Sequence, residues 1–163
     1  MTIRPATPAD LARIMEILDE ARAIMRATGN LTQWTNGYPS TDIILQDIQS
    51  DCGFMCEEGG KSVGYFCLMT GEDPDLNYRV IEGAWLDDAP YGVIHRLASA
   101  RLVRGVAQAA FSFAFSRIGN LRVDTHRDNV PMHRFLQKEG FRYCGTIYVS
   151  DGTPRDAFQK KRA

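Results

Sequence analysis

Cysteine is scarce in this chain, with four among 163 residues. Cys52, Cys56, Cys67 and Cys144 form no Cys-x-x-Cys pair, and Cys52-x-x-x-Cys56 lacks the second pair that a zinc site would add. A domain of this length needs no disulfide staples, so plain reduced, buried thiols are expected. Long apolar runs are missing too. Nothing approaches the roughly 18 residues of a membrane span, and the N-terminus has no signal-peptide pattern. Charge of one sign is also lacking: the formal net is −1, which removes any general pull toward nucleic acid or a membrane surface. Repeats, low-complexity tracts and linkers are absent. The expectation is a single cytoplasmic domain over residues 1–163, with neither nucleic acid nor membrane as partner.

What is present is an ordinary globular mixture, 44% hydrophobic and 24% charged. "TIRPAT" reads as a short edge strand ended by Pro5. In the following stretch Thr7 caps a helix and Pro8 takes its first position, with Leu11, Ile14, Met15, Leu18, Ala21 and Met25 on one face and Gly29-Asn30 as the stop. "LTQWTNGYPS" is a loop and "STDIILQDIQS" a second, shorter helix. "GFMCEE" and "SVGYFCLMT" flank Gly59-Gly60 as a hairpin. "GEDPDLNY" is a loop, and "RVIEGAWL" and "YGVIHRLAS" are the next two strands. An alanine-rich helix, a strand, a helix and a last pair of strands around Asp151-Gly152 complete the order β-α-α-β-β-β-β-α-β-α-β-β. That is an α/β sheet with an antiparallel first half and one parallel strand–helix–strand crossover.

The crossover carries the first functional signal, in "RLVRGVAQAAF", Arg101 to Phe111. A loop between a strand end and a helix presents unpaired N–H donors and a partial positive charge, which suits a pyrophosphate. Arg104 adds a full charge, Arg101 another, and Gly105 permits the turn or a close approach. The competing account is that alanine-rich sequence simply makes good helix.

"HRLASARLVRGVAQAAF" resembles motif A of the GCN5-related N-acetyltransferase (GNAT) superfamily, Arg/Gln-x-x-Gly-x-Gly/Ala, with Arg104, Ala107 and Ala109 at the three defined positions. "LRVDTHRDNVPMHRFLQKEGFRYCG" is similar to the strand, helix and strand that follow in that superfamily, and "IRPATPADLARI" to a common opening. The resemblance implies a mixed central sheet of six to seven strands with a splayed parallel central pair and about four helices. It implies transfer of an acetyl group from acetyl-CoA, as co-substrate, to the amine of a small molecule or peptide by direct attack. Arg104, Gly105, Val106, Ala107, Gln108 and Ala109 would then hold the pyrophosphate. Leu97, Ala98 and Ser99 would pair their backbone with the pantetheine arm, as a strand adds to a sheet edge, and Asn129 would touch the same arm. A backbone N–H near Leu97 or Ala98 would polarise the thioester carbonyl. Ala107 stands where glycine is usual. Alanine is favoured over glycine by about 0.8–1 kcal/mol in a helix interior, and the N–H donors remain.

One departure concerns chemistry. Many members place tyrosine seven residues after the asparagine, as general acid to the departing thiolate, and here that position is Leu136. Tyr143 or Cys144 on the next strand is a substitute, or the thiolate leaves unassisted. Candidate bases are Glu82, His95 and His126, all on strands expected near the sheet centre. His95 also fits a buried, hydrogen-bonded role, and Glu82 a salt bridge to Arg96. Trp34 and Tyr38 on the loop over the strands, with His126, are candidate acceptor contacts, although Trp34 also suits a plug between two helices. His126-x-Asp128 supplies only two ligands, so no metal is expected. Other acyl chains or acceptors, and a non-catalytic CoA-binding or sensing domain, remain alternatives, and a homodimer is possible in such a family.

Overall fold

Thr2–Pro5 forms β1 on an outer edge, where the missing N–H of Pro5 is tolerated. The computed structural model describes residues 1–101 and 103–162 of the chain. Thr7 caps a 3-10 turn, Pro8–Asp10, in which the Asp10 carboxylate accepts the Thr7 N–H at 2.8 Å. The turn runs into α1, Leu11–Ala27, whose buried Ile14, Ile17, Leu18 and Ala21 follow the spacing of one helical face. Ser40 caps α2, Thr41–Gln49, by accepting the Ile43 N–H. β2, Gly53–Glu58, and β3, Lys61–Met69, make the hairpin at Gly59-Gly60.

"RVIEGAWL" does not form the expected central strand. Leu76–Arg79 is a 3-10 turn, and only Glu82–Gly83 is extended, as β4. Those two residues pair with Thr146 and Gly145 at the far edge of the sheet. Gly83 and Gly145 bring their backbones so close that an added Cβ would lie 2.2 and 2.1 Å, respectively, from a carbonyl oxygen. Tyr78 and Trp85 turn inward together, ring centroids 5.0 Å apart, while Val80 between them is exposed. The apolar residues there therefore lack the period of two that a half-buried strand needs.

β5, Gly92–Ser99, α3, Val106–Arg117, β6, Asn120–Thr125, α4, Val130–Lys138, β7, Arg142–Tyr148, and β8, Pro154–Lys161, complete the chain. Eight strands form one sheet in the order β1-β2-β3-β5-β6-β8-β7-β4, and among the described residues only β5 and β6 run parallel. The antiparallel first half, the parallel central pair and the four α-helices match the implied fold. The count exceeds six to seven strands because the two-residue β4 adds an edge.

Consecutive residues of β3 face opposite ways. Tyr65 donates its hydroxyl to Asp47 of α2 at 2.8 Å, whereas Phe66 packs against Phe113 of α3. Helices thus cover both faces of the central strands, which read as near-continuous apolar runs for that reason. Gly64 precedes those two residues, and a Cβ there would stand 2.5 Å from Val106 Cγ1, at the first residue of α3. Gly64→Ala is expected to cost about 1–3 kcal/mol through overpacking, read as a lower urea midpoint at unchanged slope. No helix among the described residues is long and apolar enough to cross a membrane.

Candidate active site

β5 and β6 are paired only at Gly92 with Leu121 and Val93 with Arg122. Beyond Val93 the strands part, which leaves the edge of β5 from Ile94 to Ser99 unpaired on the β6 side. The opposite edge carries a bulge. Tyr65 and Cys67, two residues apart on β3, face Ala98 and His95, three apart on β5. The extra residue is absorbed at Arg96, whose φ of 54° is left-handed. Such a backbone costs about 1–3 kcal/mol and persists only where surroundings fix it. Here the Arg96 guanidinium donates to both carboxylate oxygens of the buried Asp47, at 2.8 and 2.5 Å, to Cys67 Sγ at 3.3 Å and to the Tyr38 hydroxyl at 3.1 Å.

The parted strands open onto a cavity of about 650 Å3 whose roof is the loop from Thr32 to Tyr38. Its polar floor is built by three separate segments. His95 on β5 meets Asp75, Nε2 to Oδ2 at 2.6 Å, and its Nδ1 lies 4.0 Å from Asp124 Oδ2 on β6. Asp75 also accepts the Asn77 N–H at 2.9 Å. Burial raises the Asp75 pKa, but the hydrogen bonds from His95 and Asn77 outweigh it and hold the carboxyl below its ordinary value. Asp124 accepts the hydroxyl of the buried Tyr78 at 2.6 Å. That phenol is pushed far up by burial and then by Asp124, so it stays a donor. With the Asp75 carboxylate 2.6 Å from Nε2, we assign the His95 proton to Nε2, facing Asp75. The Nδ1 lone pair then looks across the gap toward Asp124.

Thr125 follows Asp124 and also lines the cavity. Its hydroxyl oxygen is buried and finds no hydrogen-bond partner among the described residues, which fits a site that receives a polar ligand. Asp75, His95 and Asp124 hold ligand-type atoms within 4.8 Å of one another. Two ligands on one zinc, each ~2.0–2.2 Å from it, stand roughly 3 Å or more apart. The 2.6 Å between His95 and Asp75 is therefore hydrogen-bond spacing.

The residues singled out from sequence fall into three groups. His95, Leu97, Asn129, Trp34 and Tyr38 all line the cavity. Asn129 caps α4 through its Oδ1 and donates to Gln33, which ties α4 to the roof. Ala98, Ser99 and the residues from Arg104 to Ala109 lie outside the cavity, at the C-terminal end of β5 and the start of α3. Gly105, with φ of 90°, makes the turn, and no side chain among the described residues caps the helix. The left-handed position is thus Gly105, and Ala107 sits in ordinary helix where glycine is not required.

The third group is corrected. Glu82 is exposed on the far edge, bonded to Tyr148 and not to Arg96, which pairs with Asp47. Tyr143 is exposed against Phe158, and Cys144 is buried with its thiol pushed up by burial; neither lines the cavity. Position 136 is no help either, since Leu136 is fully buried in the core. His126 falls just past β6 and holds the roof, Nε2 to Thr32 Oγ1 at 2.9 Å, without lining the cavity. Its Nδ1 accepts the Asp128 N–H, and its pKa is lowered by burial and by Arg155. Asp75, Tyr78 and Asp124 were not singled out.

No protein-family model and no curated protein matches the chain. Solved structures do. A GNAT-family acetyltransferase from Streptococcus agalactiae is 33% identical over 99% of this chain and 95% of its own, with a TM-score of 0.87. An acetyltransferase structure from Staphylococcus aureus is 22% identical over 99% of both chains, with a TM-score of 0.72. The aminoglycoside acetyltransferase AAC(6')-Ib, solved in complex with coenzyme A, is 20% identical over 99% of this chain and 94% of its own, with a TM-score of 0.65.

Proposed function

The chain belongs to the GCN5-related N-acetyltransferase family of acetyltransferases, and from that membership we propose that it acetylates the primary amine of a small molecule or peptide, using acetyl-CoA. The observation that carries this reading is the parting of β5 and β6 after two paired residues, with the uncapped start of α3 at one end of the free edge and His95 at the other. Bound acetyl-CoA supplies the acetyl thioester. The free edge of β5 from Leu97 to Ser99 suits an extended amide-bearing arm, and the α3 N–H groups with Arg104 suit a diphosphate.

The acceptor amine arrives mostly as an ammonium ion, which cannot attack until it loses a proton. The 4.0 Å between His95 Nδ1 and Asp124 Oδ2 lets one nitrogen donate to both. Asp124 holds the charge, and Nδ1 takes the proton. Asp75 keeps the ring in the required tautomer and stabilises the imidazolium that forms. Trp34 and Tyr38 contribute apolar walls, which suit an alkyl or ring-bearing amine. The departing thiolate receives no proton from position 136, and a thiol of ordinary pKa, about 8.5, leaves as thiolate without one.

The test is thiol release from acetyl-CoA over a panel holding benzylamine, a lysine peptide, several diamines and aniline. Turnover of alkylamines is expected, with aniline poorer because it carries no charge for Asp124. Tight acetyl-CoA binding with no thiol release across the panel would favour a CoA-sensing domain instead. Calorimetry addresses the α3 loop. Ala107→Leu is expected to weaken acetyl-CoA binding at least tenfold, about 1.4 kcal/mol, while Ala107→Gly stays close to wild type. Equal affinity in all three proteins would move the diphosphate away from this loop.

A further inference from the structure

Arg155 has no task in the proton transfer assigned to His95 and Asp124, yet it lines the same cavity. Arg96 lines it too, and the two arginines differ in what holds them. Arg96 is neutralised by Asp47, whose two carboxylate oxygens accept its hydrogen bonds. Arg155, near the start of β8 and half-buried, has no carboxylate within ion-pair distance among the described residues. Its Nη1 donates to the Thr153 hydroxyl at 3.0 Å and to the Pro154 carbonyl at 2.8 Å. Thr153 gives its own N–H and hydroxyl to Asp151 Oδ1, at 2.9 and 2.6 Å. These contacts occupy both Nη1 hydrogens and fix the plane of the guanidinium. The edge carrying Nε and Nη2 makes no hydrogen bond among the described residues. That edge offers parallel N–H groups, the fork that matches a carboxylate.

Strand register places the fork. Ile147 of β7 lies opposite Arg155, and Asp124 of β6 lies opposite Ala157. Residues two apart on a strand share a face. Arg155 and Asp124 are therefore diagonal neighbours on one side of the sheet, with Cβ atoms about 7–8 Å apart. Their charges are opposite, yet they do not pair. Asp124 Oδ2 is held instead by the Tyr78 hydroxyl, 4.0 Å from His95 Nδ1. One wall of the cavity thus presents a negative group and a positive group, set apart from each other.

We propose that the acceptor is an amino carboxylate, its carboxylate held by Arg155 and its amine between His95 and Asp124. The assignment rests on the acetyl-transfer reading and narrows its substrate class. A plain amine meets only the negative group and leaves the Arg155 fork without a partner. A zwitterion satisfies both ends. Trp34 and Tyr38 on the roof then face the apolar remainder of the acceptor. A site built to bond a polar group of its ligand rejects analogues lacking that group more strongly than apolar walls reject a change of size.

The experiment compares two amino carboxylates with the amines that lack only the carboxyl group: L-phenylalanine with phenethylamine, and ε-aminocaproate with pentylamine. Thiol release from acetyl-CoA gives kcat/KM, and calorimetry without acetyl-CoA gives affinity. At least one pair is expected to favour the carboxylate by about 10–100-fold. The pair that does so reports the spacing between the two charges. Arg155→Met keeps an unbranched stem and is expected to bring that ratio close to one. Arg155→Lys, a point charge without the fork, is expected to give an intermediate ratio. Each ratio is taken within one protein, so partial unfolding of a variant cancels. Ratios near one for both pairs in the wild type, or a ratio that survives Arg155→Met, overturn the assignment. Ligands that neither bind nor react overturn it as well. Turnover of the plain amines alone removes the carboxylate site and leaves acetyl transfer standing. Carboxylate-selective binding that depends on Arg155, without any thiol release, leaves the site standing and removes the acetyl-transfer reading.

Discussion

His95→Ala is expected to lower kcat/KM for an alkylamine acceptor by about 10²–10⁴-fold, the usual worth of a positioned base, with acetyl-CoA affinity unchanged. The residue earns this weight by geometry. One ring nitrogen is taken by Asp75 at 2.6 Å, so only Nδ1 is left to act, and it faces the cavity. Asp75→Asn separates a base from a merely structural histidine. The amide can donate to Nε2, which forces the ring proton onto Nδ1 and closes the acceptor lone pair. A loss nearly as large as that of His95→Ala is therefore expected, in a protein that stays folded at neutral pH, with the acid limb of the kcat/KM profile altered. Wild-type kinetics in Asp75→Asn would remove His95 from the chemistry. Stability supplies a second readout. The folded Asp75 carboxyl is depressed, so its contribution is complete above the unfolded value of about 3.9 and fades as pH falls through the lower folded value. Asp75→Asn should flatten the stability–pH slope in that acid window only.

Legibility in the sequence was uneven for physical reasons. Caps, breakers and helical spacing are local, and Thr7, Ser40 and the Gly59-Gly60 turn fell where their chemistry put them. The start of α3 was equally readable, because a strand, a glycine with positive φ and an alanine-rich run are adjacent in the chain. "RVIEGAWL" misleads because its β-branched and aromatic residues suggest a strand, whereas only Glu82–Gly83 is extended, where the missing Cβ of Gly83 lets its backbone approach Gly145. The polar floor of the cavity depends on distances that no local pattern encodes. Asp75 lies 20 residues from His95, and Tyr78 lies 46 from Asp124. Asp124 could have been flagged, since a carboxylate among Val123, Thr125 and Leu121 on a buried strand needs a partner. Glu82 comes from a strand expected near the sheet centre, and Tyr143 and Cys144 from the strand after α4; the edge position of β4, with β7 beside it, takes all three away from the cavity.

Asp47→Ala is expected to destabilise the fold by about 3–5 kcal/mol, because it strands a buried guanidinium without its counter-charge. Arg96 and Asp47 are both nearly enclosed, at 11% and 8% side-chain exposure, and Tyr65 loses its hydroxyl's acceptor in the same step. Chemical denaturation of the variant reads the loss directly. The sharper question is what the pair is for, since an apolar replacement of similar volume often equals or exceeds a buried ion pair in stability. Replacing both partners, Asp47→Leu with Arg96→Met, is therefore expected to recover most of the stability lost by Asp47→Ala. Acetyl transfer is not expected to return with it. A methionine at position 96 has no charge to tie φ of 54° to α2, so the bulge can relax and the edge beyond His95 can drift toward regular pairing with β3. Recovered stability with lost turnover would identify the ion pair as the clamp on the bulged strand. Recovery of both would mean that packing alone shapes it.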